Sequence, residues 1–151
     1  MQNDRILAAL KTAFAHYESN DRGPLDALLA DDFHFEMSDS LPYGGVYVGP
    51  DEFAAFWKEV AKEWQYFRYE AHEIIDAGDT ILVPVRTDAL SIRGIRMRNE
   101  HLFLFKVRDG KVIFGRLYAD TARGRDVLEG REPRRYPRAT LADCQTRSAQ
   151  N

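Results

Sequence analysis

The sequence predicts an α+β domain in which a curved, mixed but mostly antiparallel sheet packs on three N-terminal helices and surrounds an interior pocket. Two observations carry this expectation: apolar spacing is mainly helical up to residue 64 and period-two beyond it, and the strand-like runs follow one another without helices to connect parallel neighbours. A third is length. With 151 residues the chain buries roughly two-thirds of its unfolded surface, enough for one core.

Residues 4–18 place Ile6, Leu7, Leu10, Phe14 and Tyr17 at helical spacing, and Asp4 suits the positive end of that helix. Asn20-Asp21-Arg22-Gly23 breaks it, and Pro24 fits the first turn of a short second helix carrying Leu25, Leu28 and Leu29. Phe33, Phe35 and Met37 alternate with His34 and Glu36, which marks a strand with one buried face. Ser38 to Gly45 reads as loop. Gly49-Pro50-Asp51-Glu52 then opens a third helix with Phe53, Phe56, Trp57, Val60 and Trp64 as its apolar stripe.

Strands are expected at about 66–76, 80–91, 95–107 and 111–121, separated by turns at Ala77-Gly78-Asp79, Arg93-Gly94 and Asp109-Gly110. Beyond Asp120, arginines at 123, 125, 131, 134, 135 and 138 face Asp126, Glu129 and Glu132, while Pro133 and Pro137 interrupt any long helix. The expected organisation is a domain at 1–122 and a basic extension at 123–151, partly helical or irregular.

The formal net charge is -3, from 21 basic and 24 acidic residues, so no field of one sign draws nucleic acid or an anionic membrane. A small molecule or a second protein chain is the expected partner. Cys144 is the only cysteine, the first residues lack a secretory pattern, and no run approaches the ~20 apolar residues of a membrane span. These features suggest a cytoplasmic protein. Without a glycine-rich phosphate loop or a closely spaced Cys/His pair, the expectation is no cofactor and no metal.

Tight two-residue turns at Arg93-Gly94 and Asp109-Gly110 would set Asp88 opposite Asn99, Arg86 opposite His101, His101 opposite Tyr118 and Asn99 opposite Asp120. One face of the sheet would then hold all six polar groups among large apolar ones. Burying them unpaired is costly, so they either form a rim network neutralising Arg86 or line a wet pocket. A one-residue bulge would invert the facing.

The helical Ala13-Phe14-Ala15-His16-Tyr17, the Leu25-to-Phe33 segment, Gly49-Pro50-Asp51-Glu52-Phe53, and the Asp109-Gly110-Lys111-Val112 turn followed by Tyr118-Ala119-Asp120 resemble a known pattern. Over about residues 5–122 the chain resembles the nuclear transport factor 2-like superfamily, and within it the polyketide cyclase-like and ketosteroid isomerase-like group. The resemblance implies a cone-shaped pocket, frequent homodimers, and functions from isomerase and cyclase to dehydratase, epoxide hydrolase or pure binding. In the isomerase pattern the general base falls near Met37, with Asp39 as a shifted substitute. The oxyanion-stabilising acid falls near His101 or Leu102, and the first-helix tyrosine near Ala13 or Phe14, with Tyr17 close by. A cyclase-like site would use Asp120 with His101.

Arg86-Thr87-Asp88 followed by Asp120 also resembles the Asp-Arg-Asp arrangement of limonene epoxide hydrolase-like enzymes. Their water-holding Tyr and Asn fall at Phe35 and Met37, so Asn99 or Tyr118 would have to substitute.

The candidate catalytic residues are therefore Asp120, His101, Asp88 and Arg86, with Tyr17, Met37, Trp57, Asn99, Phe103 and Tyr118 as candidate ligand-binding residues. The leading expectation is binding and acid–base turnover of a small, largely apolar molecule with a polar handle, as in a cyclase, isomerase or dehydratase. Its alternatives are epoxide hydrolysis and a non-catalytic binding or dimerisation module. A homodimer would use the sheet face assigned to Val83, Val85, Leu102, Leu104 and Leu117.

Overall fold

The computed structural model describes residues 2–14 and 21–133. Helices α1 (Asp4–Ala13) and α2 (Gly23–Asp26) precede strands β1 (Leu29–Met37) and β2 (Gly45–Val48) and the long helix α3 (Gly49–Glu63). Strands β3 (Trp64–Ala71), β4 (Ile75–Asp76), β5 (Thr80–Ser91), β6 (Arg96–Arg108) and β7 (Lys111–Ala119) follow, and α4 (Thr121–Leu128) closes the described chain.

The sheet runs β2-β1-β7-β6-β5-β3, with β4 on β5. All pairings are antiparallel except β1 with β7, which is parallel. This is the expected α+β class. Helix α3 begins with Pro50 in its first turn, where a missing N–H costs nothing, and the Glu52 carboxylate accepts the Val48 N–H. Its Phe53 and Phe56 then meet Phe35 at ring distances of 4.8 Å each, fixing the helix across β1.

Two local features decide the sheet's facing. The β5–β6 loop holds three residues, Ile92, Arg93 and Gly94, and the Ser91 N–H donates to the Ile95 carbonyl at 2.9 Å. Gly94 takes the left-handed conformation (φ 82°) that ends such a loop. Thr87 consequently pairs with Asn99 and Val85 with His101, one residue away from the expected register. The second hairpin does turn at Asp109-Gly110, both with positive φ, but a bulge between Lys106 and Val107 moves His101 opposite Ala119.

Each one-residue shift exchanges faces. Val83, Val85, Thr87, Asn99, His101, Phe103 and Leu117 point inward and are buried, whereas Arg86, Asp88 and Tyr118 lie on the outer face. The dimer face expected at Val83, Val85, Leu102, Leu104 and Leu117 is likewise mixed, since only Leu102 and Leu104 are on the outside.

Helix α4 is part of the packed structure. Val127 is fully buried, and Gly124 lies against Leu41. The helix packs against β6. Strand β2, whose Gly45 was expected in a loop and whose other residues had no expected element, pairs with β1 from His34–Val48 to Met37–Gly45. Tyr17 and His16, and everything from residue 134 onward including Cys144, lie outside the described residues.

Candidate functional site

Strand alternation brings Met97, Asn99 and His101 of β6 to the concave side, where Met37 of β1, Leu117 of β7 and Tyr69 of β3 meet them around a small cavity. Leu41, Tyr43, Phe56, Val60, Phe67 and Gly124 complete its walls, and Ala119 and Asp120 form its edge. The centre of a water molecule can move through about 20 Å³ of it, room for about one water. A larger cleft of about 270 Å³ shares the Val60, Phe67 and Tyr69 walls and is bounded further out by Phe14, Arg22, Trp57 and Trp64.

His101 is the chemically distinctive group on this floor. It is 7% exposed, and its Nδ1 is buried without a hydrogen-bond partner. Burial alone, with no neighbouring carboxylate to compensate, pulls the imidazole pKa down to about 3. At neutral pH the ring is uncharged, with one nitrogen a donor and the other an acceptor. The rings of Phe67 and Tyr69 stand 5.8 and 6.0 Å from it.

Asn99 is mostly committed to holding the chain. Its Nδ2 donates to the Asp120 carbonyl at 3.1 Å, and its Oδ1 accepts the Glu100 N–H at 2.9 Å. One N–H and one lone pair remain for a ligand. Asp120 sits where β7 passes into α4; its carboxylate accepts the Arg123 N–H at 3.2 Å as the helix N-cap, and its side chain is 55% exposed. Tyr43 ties the far wall together. Its hydroxyl accepts from Trp64 Nε1 at 3.2 Å, and burial pushes its phenol up to about 12.

The structure thus gathers Asn99 and His101 at the cavity with Met37, and places Asp120 at its edge. The rest of the expected cluster is elsewhere. Asp88 is paired on the outer face with Arg96, whose Nε and Nη2 lie 2.8 and 3.1 Å from its carboxylate oxygens. Arg86 occupies the same outer face, in register between Glu70 and Glu100. Tyr118 is 47% exposed, with the Arg116 guanidinium 5.0 Å from its ring. The Asp-Arg-Asp arrangement required for epoxide hydrolysis is therefore not assembled.

Phe103, expected at the ligand, packs instead in the core against Phe14 and Tyr69 at 4.9 and 5.3 Å. Trp57 borders the larger cleft. Asp39 is exposed and lines a separate surface depression with Arg125.

The model of the SnoaL-like domain matches residues 10–115 of this sequence. The chain belongs to the SnoaL-like domain family. That membership supports small-molecule binding on a fold of general catalytic use, and specifies no reaction. No curated protein matches this SnoaL-like chain.

Solved structures show the same fold. A nuclear transport factor 2-like protein of unknown function from Burkholderia pseudomallei is 22% identical, with a TM-score of 0.73 over 83% of this chain and 97% of its own. TerC, crystallised with polyporic acid, is 20% identical with a TM-score of 0.72, over 82% of this chain and 98% of its own. A hypothetical protein of ketosteroid isomerase-like fold from Catenulispora acidiphila, in complex with trimethylamine, is 13% identical with a TM-score of 0.61, covering 77% and 85%.

Sequence reasoning missed several walls of the SnoaL-like interior. Phe67 and Tyr69 fell in an expected strand whose facing was not assigned, and Tyr43 lay in expected loop. Arg22 read only as part of a helix-breaking turn. No local pattern marks Arg22, because its place beside Trp57 arises from the packing of the segment before α2 on α3.

Proposed function

We propose that this protein binds and turns over a small, largely apolar molecule with a polar handle, the handle meeting His101 and the proton transfer falling to Asp120. The observation that supports it is the buried, neutral imidazole whose Nδ1 has no partner at the floor of an apolar cavity. Leaving such a nitrogen unmet costs about 1–3 kcal/mol, which a ligand oxygen or N–H restores on binding. A neutral ring of such low proton affinity is a poor general base at pH 7 and a good hydrogen-bonding group for a carbonyl or enol. The proton transfer is given to the Asp120 carboxylate because it stands at the cavity edge; one oxygen accepts the Arg123 N–H, the other lies 3.8 Å from Arg123 Nε, and lone pairs remain for a ligand proton.

The ligand enters through the larger cleft. Phe67 lines both spaces and lies against His101, so rotation of its ring joins them. Ring-labelled His101 reports binding by NMR when 2-cyclohexenone is added, and proton exchange at the ketone's acidic C–H positions in D2O reports turnover. Saturable movement of the His101 signals, with exchange lost in Asp120→Asn while binding persists, is the expected result. Unmoved His101 signals would reject the binding site, and unchanged exchange in Asp120→Asn would reject the proton-transfer role.

The outer face supports self-association. Ile75 and Tyr118 are 39% and 47% exposed and flank Leu82, Pro84 and Leu102 along an open, mostly apolar groove. A second copy docking through this face makes a homodimer, which sedimentation equilibrium detects and Leu102→Lys dissociates; an unchanged monomer in both proteins would refute it.

A further inference from the structure

We infer that the cleft between α1, α3 and β3 carries an anion subsite, in which Arg22 and Trp57 receive the carboxylate of a flat, otherwise apolar ligand. The inference deepens the small-molecule reading above and rests on it. The Arg22 guanidinium carbon lies 4.1 Å from the centre of the Trp57 ring, a stacked cation–π arrangement. Its Nη1 is buried without a hydrogen-bond partner, and the Trp57 indole Nε1 is buried without one too. Two donor nitrogens without a hydrogen-bond partner thus belong to residues that line one cleft.

The walls explain why an anion suits them. Among the described residues lining the cleft, Arg22 is the only charged one; the others are apolar or aromatic apart from Gln65. Burial lowers the Arg22 pKa from its ordinary value, with Asp26 opposing the shift, so the guanidinium is only partly compensated by its surroundings. A carboxylate supplies both the charge and the acceptor oxygens, and a planar aromatic body matches the Phe14, Trp64 and Phe67 walls. The cleft's ~270 Å³ is close to the lower end of ordinary ligand pockets.

The test compares 2-naphthoate with neutral 2-naphthamide by calorimetry on the full chain, with NMR of the Trp57 indole N–H and the His101 ring. Naphthoate is expected to bind roughly tenfold or more tightly than the amide, the preference to vanish in Arg22→Met and partly return in Arg22→Lys. The Trp57 N–H signal moves with naphthoate. Equal affinities in the wild type, or a preference unaltered in a folded Arg22→Met, overturn the subsite. If both compounds also move His101, the interior site survives that failure; if naphthoate is preferred while His101 stays unmoved, the subsite stands and the interior site falls. Failure of naphthoate to bind overturns the subsite. Should Arg22→Met not fold, the wild-type ratio and the Trp57 signal decide alone.

Discussion

Acidification should destabilise this protein through His101 in a way that can be calculated. The ring titrates near pH 3 when folded and near 6.5 when unfolded, so the unfolded chain binds the extra proton between those values. A depressed histidine contributes stability that is fully present above pH 6.5 and is lost as pH falls toward 3. From pH 7 to pH 4 the loss from this one group is about 3 kcal/mol, rising to about 5 kcal/mol below pH 3. Urea unfolding at each half pH unit measures it, with His101→Phe as reference, because other titrating groups are common to both proteins. The wild-type curve should fall about 3 kcal/mol further than the variant's over that range. Parallel curves, or an NMR titration of folded His101 near pH 6.5, would refute the reasoning.

Three further outcomes follow from the same contacts. Tyr43→Phe strands the Trp64 indole N–H, both residues being buried, and should cost about 1–3 kcal/mol in urea unfolding. Asp120→Ala removes the N-cap of α4 and should cost about 1 kcal/mol, whereas Asp120→Asn keeps a good cap and should unfold near the wild-type midpoint. Asp88→Asn breaks a pair with Arg96 on the outer face and should change stability by at most about 1 kcal/mol, leaving 2-cyclohexenone binding unchanged in the NMR assay.

The order of helices and strands was legible because it depends on local periodicity. β5 falls at Thr80–Ser91, where alternation placed it, and α3 starts at the Gly-Pro-Asp-Glu signal. The candidate site was legible only in part, because it depends on which way two hairpins face. Gly94 in left-handed conformation serves a two-residue or a three-residue loop equally well, and the Lys106–Val107 bulge has no glycine or proline to announce it. Those two features sent Arg86, Asp88 and Tyr118 outward while leaving His101 and Asn99 within. Phe103 kept its inward facing but went to core packing, a distinction that alternation cannot make. Arg22 depended on tertiary packing throughout.

The most direct measurement is a crystal structure of the protein soaked with 2-cyclohexenone. The ketone oxygen should lie within about 3.2 Å of a His101 ring nitrogen, with the Phe67 ring rotated aside. Ketone density confined to the outer face, or His101 Nδ1 bonded to a protein group in an unopened interior, would contradict it.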